Sequence, residues 1–62
     1  MKFIEVESYD LLQGKNVGKR MISTFSIKEL VGGDEITRIK LVDGDYVDVR
    51  KSLEEVKAQI EG

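Results

Sequence analysis

The 62-residue sequence contains no cysteine, histidine, tryptophan or proline. Without cysteine there is no disulfide framework and no thiolate metal site. Without histidine as well, the common zinc ligand sets and the nucleophile–base dyads of covalent catalysis are missing. Long apolar stretches are missing too: no run of consecutive apolar residues reaches three. Neither a signal-peptide core nor a membrane span is therefore read, and the expected location is the cytoplasm. Charge of one sign is also scarce. Ten basic and twelve acidic residues give a net charge of −2. A duplex-binding domain gathers excess positive charge on one face, so nucleic acid is not the expected partner.

What is present suits a small folded domain. Hydrophobic residues make up 40% and charged residues 35% of the chain, a balance that separates it from disordered tails. The length suits one domain spanning residues 1–62. Such a chain buries only about 60% of its unfolded surface, so its core is marginal. The densest basic cluster is Lys15, Lys19 and Arg20, around the glycine-bearing stretch Gly14–Gly18. Gly14-Lys15-Asn16-Val17-Gly18-Lys19 has the composition of a phosphate-binding loop but not its pattern, and reads as a solvated hairpin turn.

Residues 3–9 alternate in hydrophobicity, with Ile4, Val6 and Ser8 facing inward and Glu5 and Glu7 facing water, as in a half-buried strand. Asp10–Gly18 reads as a wide loop, with Leu11 and Leu12 lengthening the strand or covering the edge of the core. In the stretch 19–30, Met21-Ile22 and Phe25-Ser26-Ile27 have strand character, broken at Ser23-Thr24. Ser26-Ile27-Lys28-Glu29 also reads as a capping box with Gly32-Gly33 as a stop, but a helix of about six residues is too short to repay its nucleation. Strand is the preferred assignment.

Residues 35–51 carry two alternating segments around Asp43-Gly44. A two-residue loop would pair Ile39 with Asp48 and place an aspartate on the apolar face. A three-residue loop, Val42-Asp43-Gly44, puts Gly44 at the left-handed position of a type I turn plus bulge. It pairs Ile39 with Val47, Thr37 with Val49 and Arg38 with Asp48. It keeps the apolar residues on one face, so it is the expected register. Ser52-Leu53-Glu54-Glu55 then forms a capping box with acids in the first helical turn. Leu53, Val56 and Ile60 make one apolar stripe.

These elements predict an α+β fold, a small antiparallel β-sheet of about four strands covered by one C-terminal helix. Ile36, Val42 and Tyr46 remain on the outer face as a second apolar patch, rimmed by Arg38 and Asp48. Ile36, Arg38, Val42, Tyr46 and Asp48 form the candidate interaction surface, and a two-fold homodimer is expected through it.

No catalytic, cofactor-binding or metal-binding residue is assigned. The carboxylate pairs Asp43/Asp45 and Glu54/Glu55 fall on a hairpin tip and a first helical turn, where turn and cap roles explain them. Asp43-Gly44-Asp45 lacks the glycine position and ligand spacing of a calcium loop. An enzyme is not expected, and no cofactor is implied. For single-stranded nucleic acid, Tyr46 beside Arg38, Lys40 and Arg50 is the best local match, but Asp43, Asp45 and Asp48 share the hairpin.

Four pieces of the chain, Met1-Lys2-Phe3-Ile4, Phe25-Ser26-Ile27-Lys28-Glu29, Ile39–Gly44 and Val49–Val56, follow a pattern of very short bacterial and phage proteins. Over about its last half the chain resembles the flagellar FlbD family and small uncharacterised phage and prophage proteins. The longer loop at residues 10–18 and Ser23-Thr24 depart from that pattern. The resemblance implies strands followed by a helix, favours strand at Phe25–Leu30, and carries over no catalytic or ligand residue. It leads to the expectation of a non-enzymatic protein-binding module, phage- or prophage-encoded, that occupies a protein surface of its host as inhibitor or regulator. The host target is not identified, and the location becomes the cytoplasm of the producing or infected cell. The alternatives are a motility-associated FlbD-like regulator and a nucleic-acid-binding module.

Overall fold

The computed structural model describes residues 2–62. Five strands, a single 3-10 turn and one helix follow in order: β1 (Phe3–Asp10), β2 (Lys15–Ser23), the turn Thr24–Ser26, β3 (Ile27–Gly32), β4 (Thr37–Leu41), β5 (Tyr46–Val49) and α1 (Leu53–Glu61). The α+β class is as expected. The strands form two antiparallel sheets rather than one, however: a β1–β2 hairpin and a meander in the order β3-β4-β5. β1 lies beside β5, but the two are not hydrogen-bonded neighbours.

One core joins the sheets. Ile4, Val6 and Ile22 come from the hairpin, Ile39, Leu41, Val47 and Val49 from the meander, and Val56 from the helix. Alternation explains the selection: successive strand side chains point to opposite faces, so Ile4/Val6 and Thr37/Ile39/Leu41 point inward together. The β4–β5 register matches the three-residue loop: Thr37 pairs with Val49, Arg38 with Asp48 and Ile39 with Val47. The Gly44 amide donates to the Leu41 carbonyl at 3.1 Å, the Leu41 amide to that of Asp45 at 2.9 Å, and Gly44 has φ 95°. That is a type I turn closed by a left-handed glycine.

Thr37 is the one polar side chain wholly buried among the described residues, and its hydroxyl donates to the Lys51 carbonyl at 2.9 Å. It ties β4 to the segment entering the helix. Its cross-strand neighbour is Gly32, where a Cβ would fall 2.7 Å from the Thr37 Cα. α1 starts as read: Ser52 Oγ accepts from the Glu55 amide and Glu55 Oε1 accepts from the Ser52 amide, each at 3.2 Å. The Leu53 amide is anchored to the Gly33 carbonyl at 2.9 Å. Val56 is fully buried, with Leu53 and Ile60 half-buried on the same stripe.

Three local expectations are corrected. The loop at Asp10–Gly18 is only a four-residue turn, residues 11–14, and Lys15–Gly18 belong to β2. Neither Leu11 nor Leu12 covers the core; both are exposed in that turn. Phe25 and Ser26 lie in a 3-10 turn whose first residue follows the Ser23 cap, so the strand starts at Ile27 and no capping box forms at Ser26. The 3-10 turn brings the Thr24 amide to the Lys2 carbonyl at 2.8 Å, reversing the chain between the two sheets.

Candidate protein-binding groove

The β1–β2 turn is built by one carboxylate. Asp10 Oδ1 accepts from the amides of Leu12 at 2.9 Å and Gln13 at 3.3 Å, and Oδ2 accepts from Gln13 Nε2 at 2.8 Å. The Asp10 carbonyl accepts from the Gly14 amide at 2.7 Å, and Gly14 takes φ 67° to close the loop. These bonds satisfy the turn's own polar groups locally, as an Asx turn does. The side effect is that two leucines are held outward on an ordered backbone. Leu12 is 98% exposed. Beyond the turn, Ser8 pairs with Gly18 and Tyr9 with Asn16, so Val17 is an extra residue, a bulge, and is exposed as well.

The facing wall comes from the β4–β5 hairpin. Arg38 donates from Nε to Asp48 Oδ1 at 2.8 Å and from Nη2 to Asp48 Oδ2 at 3.2 Å. Its guanidinium carbon stands 4.0 Å from the Tyr46 ring centroid. The Asp48 side chain is only 9% exposed, so this pair is better shielded from water than an ordinary surface ion pair. The hydrogen bond to Asp48, opposed by partial desolvation and reinforced by the Asp48 and Tyr46 charges, raises Arg38 above its ordinary value. A shift in that direction keeps the stabilising charge present across the whole neutral range, so Arg38 is charged there.

Between these walls lies an open groove of about 430 Å³. Leu11, Leu12, Val17 and Tyr9 line one side, and Tyr46, Arg38 and Asp48 the other. Arg20 enters it from β2 and reaches Asp45 at 3.6 Å. Arg38, Tyr46 and Asp48 thus come together as expected. Ile36 and Val42 do not join them. They flank β4 at opposite ends, roughly 20 Å apart by strand rise, with Arg38 and Lys40 between them on the same face. Ile36 is half-buried, and Val42 lines a different cleft with Met21. The single outer apolar patch is therefore corrected to a charged stripe with an apolar residue at each end.

The basic cluster is dispersed by the same alternation. Lys19 and Arg20 lie inside β2 on opposite faces. Lys19 stands opposite Glu7 and 3.9 Å from Glu5, and Lys15 opposite Asp10. Lys19 and Arg20 each have a carboxylate within 4 Å, Glu5 and Asp45 respectively. The carboxylate pairs have structural roles: Asp43 Oδ1 accepts from the Asp45 amide at 2.9 Å, and Glu55 completes the helix cap. Among the described residues, no three or more acidic side chains gather as a metal site, and no helix is long and apolar enough to cross a membrane.

Tyr9, Leu11, Leu12 and Val17 escaped the sequence reading. Leu11 and Leu12 lie between Asp10 and Gly14, a spacing compatible with a carboxylate-closed turn, whereas Tyr9 and Val17 carry no comparable mark. No family model, curated protein or solved structure matches the chain, so the likeness to FlbD-type and phage proteins rests on the four short motifs alone.

Proposed function

We propose that this chain is a non-enzymatic protein-binding module that acts by occupying a surface of another protein through the Leu12–Tyr46 groove. The observation that supports this most is Leu12 itself. A leucine left in water forgoes about 1.5–3 kcal/mol that burial would return, and here an ordered turn holds it there. Beside it stand an aromatic ring and a positioned arginine, residue types that dominate the energetics of protein interfaces. A partner surface with a shallow apolar pocket for Leu11 and Leu12 and polar groups for the Arg38–Asp48 rim fits this arrangement. An inhibitor or regulator role, in a phage or prophage setting, is the biological form this reading takes.

Nucleic-acid binding is less favoured, because Arg38 covers a face of the Tyr46 ring and spends its donors on Asp48. A base would need that face and a phosphate those donors. The second reading of the groove is a two-fold homodimer. Its support is that Arg38–Asp48 and Arg20–Asp45 place both charge signs on one face, which lets the face complement a second copy of itself.

The test uses the whole chain as bait in lysate of the producing or infected cell, beside Leu12→Asp and Tyr46→Lys baits. A protein captured by the first and lost from both variants supports the reading. Equal capture by all three overturns it. Sedimentation equilibrium at about 10 μM, where an interface near 10⁻⁶ M is filled, separates the dimer from the heterologous partner.

A further inference from the structure

We infer that the free edge of β2, over Gly18–Ser23, is a docking seam for an extended acidic segment of a partner protein, which adds to the hairpin as a third strand. This seam is distinct from the Leu12–Tyr46 groove, which it meets only at Arg20, and neither reading requires the other.

Three observations carry the inference. First, β2 pairs with β1 alone, so one row of its amides and carbonyls has no strand partner. Such a row is a ready template for another strand. The bulge at Val17 ends the regular ladder, leaving Gly18–Ser23 as its straight portion. Second, the two hairpin strands are opposite in charge. β1 carries Glu5, Glu7 and Asp10 and no base; β2 carries Lys15, Lys19 and Arg20 and no acid. β1 thus displays the chemistry that β2 accepts on its paired edge: carboxylates alternating with apolar residues, Glu7 facing Lys19 and Ile4 facing Ile22. The free edge presents the same side chains; Lys19 and Arg20 hold Glu5 and Asp45 only in long, exposed pairs at 3.9 and 3.6 Å, weak enough for an incoming carboxylate to compete with. Third, a cleft of about 330 Å³ runs beside this edge, between Met21 and Ser23 on one side and Ser26 and Val42 on the other. Met21 and Val42 are exposed there, so an apolar side chain of the added strand has a place to go.

The charges also choose among occupants. Antiparallel pairing of β2 with β2 of a second copy would set Lys19 and Arg20 of both chains along one seam, and like charges facing each other destabilise a ladder. Edge lysines are a common guard against self-pairing, and an acidic strand is the partner they still admit. The outer edges of β1 and β5 lie beside each other, and the edge of β3 is of mixed charge, with Lys28 beside Glu29, and α1 packs near it. It has no comparable preference.

The probe is a fluorescein-labelled peptide with the sequence of Phe3–Asp10, the strand that β2 already accepts, titrated into the intact wild-type protein. Its counterpart carries Glu5→Lys, Glu7→Lys and Asp10→Lys. Saturable binding of the acidic peptide with a dissociation constant below about 1 mM is expected, with the basic peptide at least about tenfold weaker. The preference should shrink as salt is raised. Hydrogen exchange should show new protection at alternate amides within Gly18–Ser23. Binding of neither peptide at these concentrations, or of both equally, would overturn the seam. So would protection gained on β3, or protection lost on β1, which would report strand exchange. Lys19→Gln in the protein should weaken the acidic peptide about two- to fivefold while leaving the thermal melt within about 2 °C.

Discussion

Asp10 holds Leu12 in water: its carboxylate accepts the Leu12 amide at 2.9 Å, and the leucine side chain is 98% exposed. Stability and display are thereby separated in neighbouring residues. Leu12→Asp removes no buried surface, so its melting temperature should stay within about 2–4 °C of wild type, the range of an ordinary surface change of about 0.5 kcal/mol. Calorimetry checks this. A large loss would mean that Leu12 packs on the protein rather than facing a partner.

Asp10→Ala should behave differently. It removes three hydrogen bonds that organise the turn, at a cost of about 1–2 kcal/mol for loss of a cap-like side chain. Amides of Leu12 and Gln13 should exchange faster than in wild type, with the core amides of Ile39 and Val47 little changed in rank. An unaltered exchange rate at Leu12 would contradict the anchoring role.

Gly44→Val should cost more than Asp45→Ala. Gly44 has φ 95° with open space around its missing Cβ, so the penalty is conformational, of order 1 kcal/mol or more for a β-branched residue. Asp45 lends an exposed pair with Arg20 and an exposed local bond in which its Oδ1 accepts from the Tyr46 amide at 2.8 Å, surface interactions worth about 0–1 kcal/mol. Paired thermal melts decide the order. Equal losses would count against the left-handed turn.

Gly32→Ala should destabilise by about 1–3 kcal/mol through overpacking, because the new methyl meets Thr37 backbone that cannot rotate away. Urea unfolding measures this. A neutral result would show that β3 can shift away from β4 without loss.

Arg38→Ala should be more damaging than the double change with Asp48→Ala. The single change leaves a carboxylate that is 9% exposed without its bidentate partner, whereas the double change removes both charges. The order of three midpoints in urea tests it. A double variant less stable than Arg38→Ala would place the benefit of Asp48 elsewhere.

The β4–β5 hairpin and the helix cap were legible because each carried two agreeing signals. Ile39 and Val47 share a face only in the register that also sets Gly44 left-handed and Arg38 opposite Asp48. Ser52 and Glu55 cap each other at fixed spacing. β2 was not legible as a full strand. Lys15–Met21 is exposed on both faces, so no alternation is imposed on it, and Gly18 and the Val17 bulge resemble loop. The division into two sheets was hidden as well, since the proximity of β1 and β5 is a tertiary fact with no local mark. Half of the groove was missed for a related reason. Adjacent leucines suggest burial, and only the Asp10 hydrogen bonds, which need coordinates, turn them outward. The placement of Ile36 with Val42 overlooked strand length: six residues of extended chain separate them.

The groove reading is tested most directly by site-specific photocrosslinking from position 12 in lysate of the producing or infected cell, with the same photoreactive residue at position 28 as a control. Lys28 is exposed on β3, away from the groove. The expected result is one discrete adduct from position 12, absent from position 28 and abolished by Tyr46→Lys in the same chain. Equal or absent adducts from the two positions would contradict the account.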